Sequence, residues 1–376
     1  MRVVVLGAGY AGLTLAHRLE SRLPDAADIV VVDESDTHLV QHELHRVVRR
    51  PAVADAITVP LDDALDRATV RTTRVEGIDR DARRVRLADG VLDYDYAAVC
   101  LGAETAFYDL PGVADHGLPL KRLDHAREIR EDALDTCERD GRIVVGGAGL
   151  SGVQVAGELA ALADERDADV DVTLLERQDS VAPAFPEAFQ TAVRDALVAA
   201  GVDVRTDARV TGATGEAVEL DDSGVPYDTF VWTGGIRGSD ALGGDRPVVR
   251  GDLRLDDRTF AVGDAARVVD ADGDAVPASA AAAIREAGTV ATNLGRLVRH
   301  ALEADDETDG FAPRLDPFRF DAPGWIVSVG DDAVATVGPK VFTGAPARAM
   351  KATVGAGHLS SVGEITRVVE LAREEL

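Results

Sequence analysis

The feature that most constrains this chain is a supersecondary pattern written twice. Val3-Val4-Val5-Leu6 is an apolar run that leads into Gly7-Ala8-Gly9-Tyr10-Ala11-Gly12. A helical stretch carrying Leu13, Leu15, Ala16 and Leu19 follows, and Ile29-Val30-Val31-Val32 then ends at Asp33. The same order returns at Ile143-Val144-Val145-Gly146, with Gly147-Ala148-Gly149-Leu150-Ser151-Gly152, a helical stretch from Val153 to Ala163, and a strand from Val170 to Leu175 ending at Glu176. Strand, glycine turn, helix, strand and acid make a β-α-β unit, which pairs its strands in parallel and covers the sheet with its helix. The repeat therefore predicts an α/β chain with two Rossmann-like dinucleotide-binding domains.

The residue types explain why. A protein-held pyrophosphate needs a tight turn, close backbone approach and the positive end of a helix. Gly7, Gly9 and Gly12, and again Gly147, Gly149 and Gly152, supply the first two, and the helix that each set opens supplies the third. An acid about 20 residues on accepts hydrogen bonds from the adenosine ribose, and Asp33 and Glu176 stand there. One such glycine motif also occurs in plain strand-helix turns; two complete units are far more specific. Glu176 favours the free ribose of NADH over the 2'-phosphate of NADPH, although Arg177 beside it weakens that preference.

A later strand, Phe260-Ala261-Val262, ends in Gly263-Asp264 ahead of an alanine-rich helix from Ser279 to Leu302. A carboxylate there either caps a helix or bonds a flavin ribitol hydroxyl, and the N-terminal unit favours the second. Short strands are expected at Thr69 to Val75 and Val85 to Leu87, with Tyr94 to Leu101 ending at Gly102. After the second unit come Val202 to Val204, Ala217 to Leu220, and Thr229 to Trp232 ahead of Gly234-Gly235. Asp305 to Gly310 reads as a linker, Phe318 to about Val337 as β-rich, and the tail as a helix.

The formal net charge is -27, with lysine only at Lys121, Lys340 and Lys351 and the acids dispersed along the chain. A dispersed carboxylate coat suits a cytoplasm of molar salt, where the Debye length is about 3 Å and self-repulsion is screened. It disfavours nucleic acid, because a basic footprint is missing. The chain enters a strand directly after Met1-Arg2, which leaves no room for a signal peptide, and no apolar run approaches the roughly 20 residues of a membrane span. Cys100 and Cys137, the only cysteines, sit far apart and fit a reducing cytoplasm with no disulfide framework and no metal site. In the tail, Ile365, Val368, Val369, Ala372 and Leu376 recur at helical spacing among Glu364, Glu370, Glu374 and Glu375. Interfacial helices usually present a basic face, so this helix reads as packed on the body or a partner. Peripheral contact with the cytoplasmic face of the membrane, and a homodimer, stay open.

Several stretches in order carry a family resemblance: Val3 to Gly12, His38 to Leu44, Pro119-Leu120-Lys121 with Asp124-His125-Ala126, Gly147 to Leu159, Phe260 to Ala265, Pro277 to Ala280, and Phe318 to Gly330. They resemble the pyridine nucleotide-disulfide oxidoreductase superfamily, most of all its type II NADH dehydrogenase branch of single-chain NADH:quinone oxidoreductases. The resemblance implies non-covalent FAD on Gly7, Gly9, Gly12, Asp33, Gly102, Gly263 and Asp264, and NADH on Gly147, Gly149, Gly152, Glu176 and Gly234. It implies that Glu158, in Val155-Ala156-Gly157-Glu158-Leu159, is a catalytic carboxylate near the nicotinamide and flavin. It also implies an NAD(H) domain over 113–238 inserted in an FAD domain over 1–112 and 239–308, with a small C-terminal α+β region over 309–376.

Departures matter too. There is no redox cysteine pair, so electrons leave a flavin directly to an acceptor. Ala281 and Arg285-Glu286 stand where the family has glutamines lining the quinone side, and Gln154 where a glutamate is more usual. The leading expectation is NADH oxidation with a quinone as acceptor. The alternatives are a soluble diaphorase-like NADH reductase with another small acceptor, and a low-turnover redox sensor.

Overall fold

The structure, a computed structural model, describes residues 1–303, 312–322 and 324–361. The linker expected at Asp305 to Gly310 and the tail positions from Glu364 to Leu376 lie outside them. The elements that position the sites are, in chain order, β1 (Arg2–Leu6), α1 (Tyr10–Arg22), β2 (Asp28–Asp33), β3 (Tyr96–Val99), β4 (Arg142–Gly146), α2 (Leu150–Glu165), β5 (Asp171–Leu175), β6 (Thr229–Trp232), β7 (Thr259–Ala261), α3 (Ala280–Glu303), β8 (Gly324–Val329) and β9 (Asp332–Val337).

The chain divides into two compact units. The first gathers Met1–Leu39, Thr58–Glu104 and the described part of Arg237–Ala322. Its sheet places β1 between β2 and β3, with β7 outside β3 and Thr69–Thr72 outside β2, every pairing parallel. Val3, Val4, Val5 and Leu6 are all fully buried. A strand with both faces covered has no polar side, which is why it reads as a continuous apolar run rather than an alternating one. On α3, Ala283, Ala287, Val290, Leu294 and Val298 are buried at spacings of three and four, one face of a helix packed against α1. Past the end of α1, the Arg67 guanidinium donates to the carbonyls of Leu23, Pro24 and Ala27, each at 2.7 Å.

The second unit gathers Val40–Ile57, Thr105–Ile236 and the described chain from 324 onward. Its sheet repeats the first: β4 lies between β5 and β6, with Asp203–Arg205 outside β5 and Leu118–Pro119 outside β6, all parallel. Each unit also carries a three-stranded antiparallel meander. These run over Val75–Asp79, Arg84–Leu87 and Gly90–Asp93, and over Val210–Ala213, Ala217–Leu220 and Gly224–Pro226. The sequence repeat is thus a repeat of topology, the second copy inserted within the first.

Three details differ from expectation. The single strand expected over Thr69 to Val75 is two, since the chain leaves the parallel sheet after Thr72 and starts the meander at Val75. The expected β region from Phe318 begins at β8; Phe318 is a buried plug in the first unit, its N–H bonded to the Gly251 carbonyl at 2.6 Å. The unit boundaries cut across the expected domain spans, with 40–57 and 324–361 in the second unit and 312–322 in the first. Among the described residues, no helix is long and apolar enough to cross a membrane.

Within the second unit, α2 rests on the turn between β8 and β9 through Gly157. A Cβ there would lie 2.5 Å from the Gly330 nitrogen and 2.8 Å from Val329 backbone atoms. Alanine in a helix interior ordinarily gains about 0.5–1 kcal/mol over glycine. Here overpacking against rigid backbone, about 1–3 kcal/mol, outweighs it. Gly157→Ala is expected to lower the thermal unfolding midpoint; a midpoint at or above that of the unaltered protein would show that the hairpin simply moves aside.

Candidate dinucleotide sites

In the first unit, β1 ends in Gly7, whose φ of +96° lies in the left-handed region. A side chain there would collide with the Cys100 carbonyl, and one at Gly12 would collide with the Gly7 carbonyl. The Gly7 N–H donates to the Val32 carbonyl at 2.7 Å, so the turn leaves β1 still in register with β2. At Gly9 a Cβ would meet nothing within 4 Å. The turn is therefore closed behind by backbone and open in front, at the N-terminus of α1, where the first-turn N–H groups of a helix lack internal partners.

Asp33 holds this turn in shape. Its carboxylate accepts the Ala8 N–H at 2.6 Å and the Ser35 N–H at 2.9 Å, one on each oxygen. Burial pushes its carboxyl above the usual range, partly offset by those two backbone donors. The Ala8 carbonyl is taken by His38, whose Nδ1 lies 2.9 Å away and, facing a carbonyl, must carry the proton. The His38 ring also meets Tyr10 edge to face at 5.3 Å.

The second unit reproduces the device. Gly147 has φ +95°, its N–H donates to the Leu175 carbonyl at 2.8 Å, and Gly149 again has open space where a Cβ would stand. Glu176 accepts the Ala148 N–H at 2.8 Å and the Gln178 N–H at 3.0 Å. The Ala148 carbonyl is held by the Ala182 N–H at 2.8 Å, in place of an imidazole. Gly147 and Gly234 are brought together, because a Cβ on Gly147 would lie 2.8 Å from the Gly234 Cα. Thr233, which the sequence reading passed over, locks this corner by donating to the Gly147 carbonyl at 2.9 Å.

The first unit has a further component. After β7, Gly263 (φ +67°) and Asp264 form a tight turn packed on Ala11 and Ala283. Gly102 follows the neighbouring strand β3, also left-handed at φ +67° and with open space at its Cβ position. Among the described residues, the Asp264 carboxylate has no protein hydrogen-bond partner. Two side chains hold the turn's backbone, Arg246, which the sequence did not flag, and Glu286, noted there only as a departure on the quinone side. Arg246 donates to the Asp264 and Ala266 carbonyls at 2.7 and 2.8 Å, and Glu286 accepts the Gly263 N–H at 2.6 Å. No motif reveals these roles, since each acts on backbone that is distant in sequence.

Glu158 is buried, at 3% exposure, and its Oε2 lies 2.8 Å from Arg49 Nε. Burial pushes its carboxyl up while Arg49 pulls it back, and the net direction is upward. Arg49 also reaches Asp331 at 2.6 Å and Glu165 at 3.4 Å, so Glu158 anchors an ion-pair network. Nearby in the same unit, Ser328 Oγ gathers His45 Nε2 at 2.8 Å and Lys351 Nζ at 3.1 Å, with the Gln154 amide at 3.5 Å. Burial pushes the Glu43 carboxyl up, but Lys351, His42, His45 and Arg46 together draw it down to about 2. Cys100 and Cys137 are separate free thiols, and burial raises the pKa of both.

These residues fit dinucleotides on the structure's own terms. Each turn has open space before a helix N-terminus. Asp33 and Glu176 each take a backbone N–H on both carboxylate oxygens, and the first unit adds in Asp264 a carboxylate with no protein partner among the described residues.

Known proteins with these elements are similar along almost the entire chain. Type II NADH:quinone oxidoreductase of Staphylococcus aureus is 26% identical over 97% of this chain and 96% of its own. The structure of NDH2 from Plasmodium falciparum in complex with NADH superposes with a TM-score of 0.82 at 12% identity, covering 99% of this chain and 97% of that one. The sulfide:quinone oxidoreductase of Aquifex aeolicus superposes with a TM-score of 0.79 at 18% identity, covering 97% and 92%. A family profile described as pyridine nucleotide-disulphide oxidoreductase matches residues 1–287, and the chain belongs to that family.

Proposed function

We propose that the chain is an FAD-dependent oxidoreductase that takes hydride from NADH and passes electrons to a quinone. The observation that carries this reading is the pair of acid-stapled glycine turns, one per unit, in a chain without a redox cysteine pair. The near full-length similarity to proteins named NADH:quinone oxidoreductases supports the acceptor class. Bound FAD supplies the two-electron redox chemistry. The protein's own part is to bind, orient and shield.

In the first unit, Gly7, Gly9 and Gly12 give the pyrophosphate access to the α1 N-terminus, Asp33 takes the adenosine ribose, and Gly102, Gly263 and Asp264 meet the flavin half. In the second, Gly147, Gly149, Gly152 and Gly234 shape the NADH turn and Glu176 reads its ribose. Glu158 is the carboxylate this reading places near the nicotinamide, and its ion pair with Arg49, which also reaches Asp331, fixes its position. Metal chemistry forms no part of the proposal.

The salt-rich cytoplasm remains part of this reading. With net charge -27 the folded chain repels itself in dilute buffer, and molar salt screens that repulsion. The unfolding midpoint is expected to rise from low to molar KCl; a midpoint that falls, or stays level, would count against salt adaptation. Peripheral docking at the cytoplasmic face and self-association belong to the same proposal and are read by vesicle flotation and light scattering.

The two units separate under mutation. Purified protein should be yellow and bleach under NADH without oxygen. Asp33→Ala should lose flavin, whereas Glu176→Ala should keep it, raise KM for NADH by about tenfold and narrow the preference over NADPH. Flavin loss from Glu176→Ala with retention in Asp33→Ala would reverse the assignment.

The acceptor has its own test. Turnover should saturate with a menaquinone analogue and exceed the rate with oxygen alone. Saturation only with a soluble dye or a protein acceptor would favour the diaphorase-like reading, and negligible turnover with every acceptor the sensor.

A further inference from the structure

We propose that Glu286 is a positioning residue for the flavin: by accepting the Gly263 N–H, it sets the Gly263–Asp264 turn and so aims the Asp264 carboxylate. The inference rests on the FAD reading of the first unit.

The geometry is that of a turn gripped from both sides. β7 ends against β3, with the Val262 N–H bonded to the Val99 carbonyl at 2.9 Å, and the backbone then swings through Gly263 at φ +67°. Arg246 pulls on two carbonyls of the turn while Glu286 takes its leading N–H. These contacts leave the Asp264 side chain free. Glu286 stands on the buried face of α3, one turn after Ala283, which together with Ala11 closes on Gly263 at 3.2 Å from its Cβ position. One carboxylate therefore ties α3 to the turn, and the turn is seated against the start of α1. The arms of the expected flavin site share that joint.

A buried carboxylate is an expensive way to hold one N–H. An alanine or leucine would pack on the same helix face, but it would leave the Gly263 N–H buried without an acceptor, and no backbone carbonyl takes its place. The groups facing Glu286 are Arg246, Asp264 and the Cys100 thiol. Burial raises its carboxyl from 4.5 to about 7, with the Gly263 N–H and Arg246 opposing that rise and Asp264 adding to it.

The sign follows. A carboxyl whose folded pKa is raised binds its proton more tightly in the folded state. Stability therefore falls as pH rises from about 4.5 to about 7, and is level above. The Gly263 N–H bond changes the other way, because an ionised acceptor makes a stronger, charge-assisted bond. The turn is held most tightly above pH 7, where global stability has given up most.

The test is flavin release from holoprotein on dilution, followed by the rise of free FAD fluorescence across the near-neutral range, for the unaltered chain, Glu286→Gln and Glu286→Ala. Glutamine keeps an acceptor without a titration. Release from the unaltered chain should slow as pH rises through about 7, release from Glu286→Gln should be flat with pH, and Glu286→Ala should release FAD about tenfold faster than Glu286→Gln. Glu286→Ala releasing flavin as slowly as the unaltered chain overturns the inference, and so does Glu286→Gln failing to rescue. Should Glu286→Ala not fold, the comparison of pH profiles decides: a slope lost in Glu286→Gln supports the proposal, and identical profiles overturn it. An unaltered chain that never holds FAD overturns the flavin reading and this inference with it.

Discussion

The structure depends on a staple between an acid and a glycine turn. A loop that offers its backbone N–H groups to a pyrophosphate cannot satisfy them internally, and it cannot carry side chains that would block the approach. Something else has to hold it in shape. Asp33 at the end of β2 takes the Ala8 N–H, and Glu176 at the end of β5 takes the Ala148 N–H. In both, the acid binds the residue following the first glycine, so strand end, turn and helix start become one rigid corner. On the proposed reading, the residue that meets a ribose is also the one that holds the turn beneath the phosphates.

That double duty explains how much was legible from sequence. The glycines are visible because their constraint is local: a Cβ at Gly12 would strike the Gly7 carbonyl five residues back. The acids are visible because the parallel strand that carries them must end beside the turn. The sheets follow from the same units, since a fully apolar run such as Val3 to Leu6 fits only a strand covered on both faces. What stayed hidden acts across long separations with no fixed spacing. Glu286 meets a backbone N–H 23 residues away. Arg49 reaches Glu158 from a segment that the sequence attached to the other unit. A buried Glu or Arg looks in sequence like a solvated one, and only the fold reveals its partner.

Charge shows the same division between surface and interior. The chain carries an excess of 27 negative charges, mostly on exposed loops and helices, where screening makes each pair worth little. The interior works differently. Glu158 is answered by Arg49, Glu43 by Arg46 and Lys351, and the backbone of the Gly263 turn by Arg246 and Glu286 together. One of only three lysines is spent at such a buried pair. The acid-rich surface therefore encloses buried ion pairs such as Glu158–Arg49, where losing one partner strands the other.

The two copies are alike in topology, and their edges are where they part. In the first unit the strand beyond β3 is β7, and it delivers Gly263 and Asp264 to the mouth of the site, braced by Arg246 and Glu286. The equivalent edge of the second unit is Leu118–Pro119, two residues that run into Leu120, Lys121 and Arg122, with no Gly-Asp turn at the strand end. On the proposed reading, one corner holds its dinucleotide at the adenosine end and again at the Gly263 turn, and the other at the adenosine end. A prosthetic group must stay through every turnover and a hydride donor must leave after each one. On the proposed reading, the asymmetry of the edge strands accounts for that difference, with the retained ligand in the unit where Glu286 holds the extra turn.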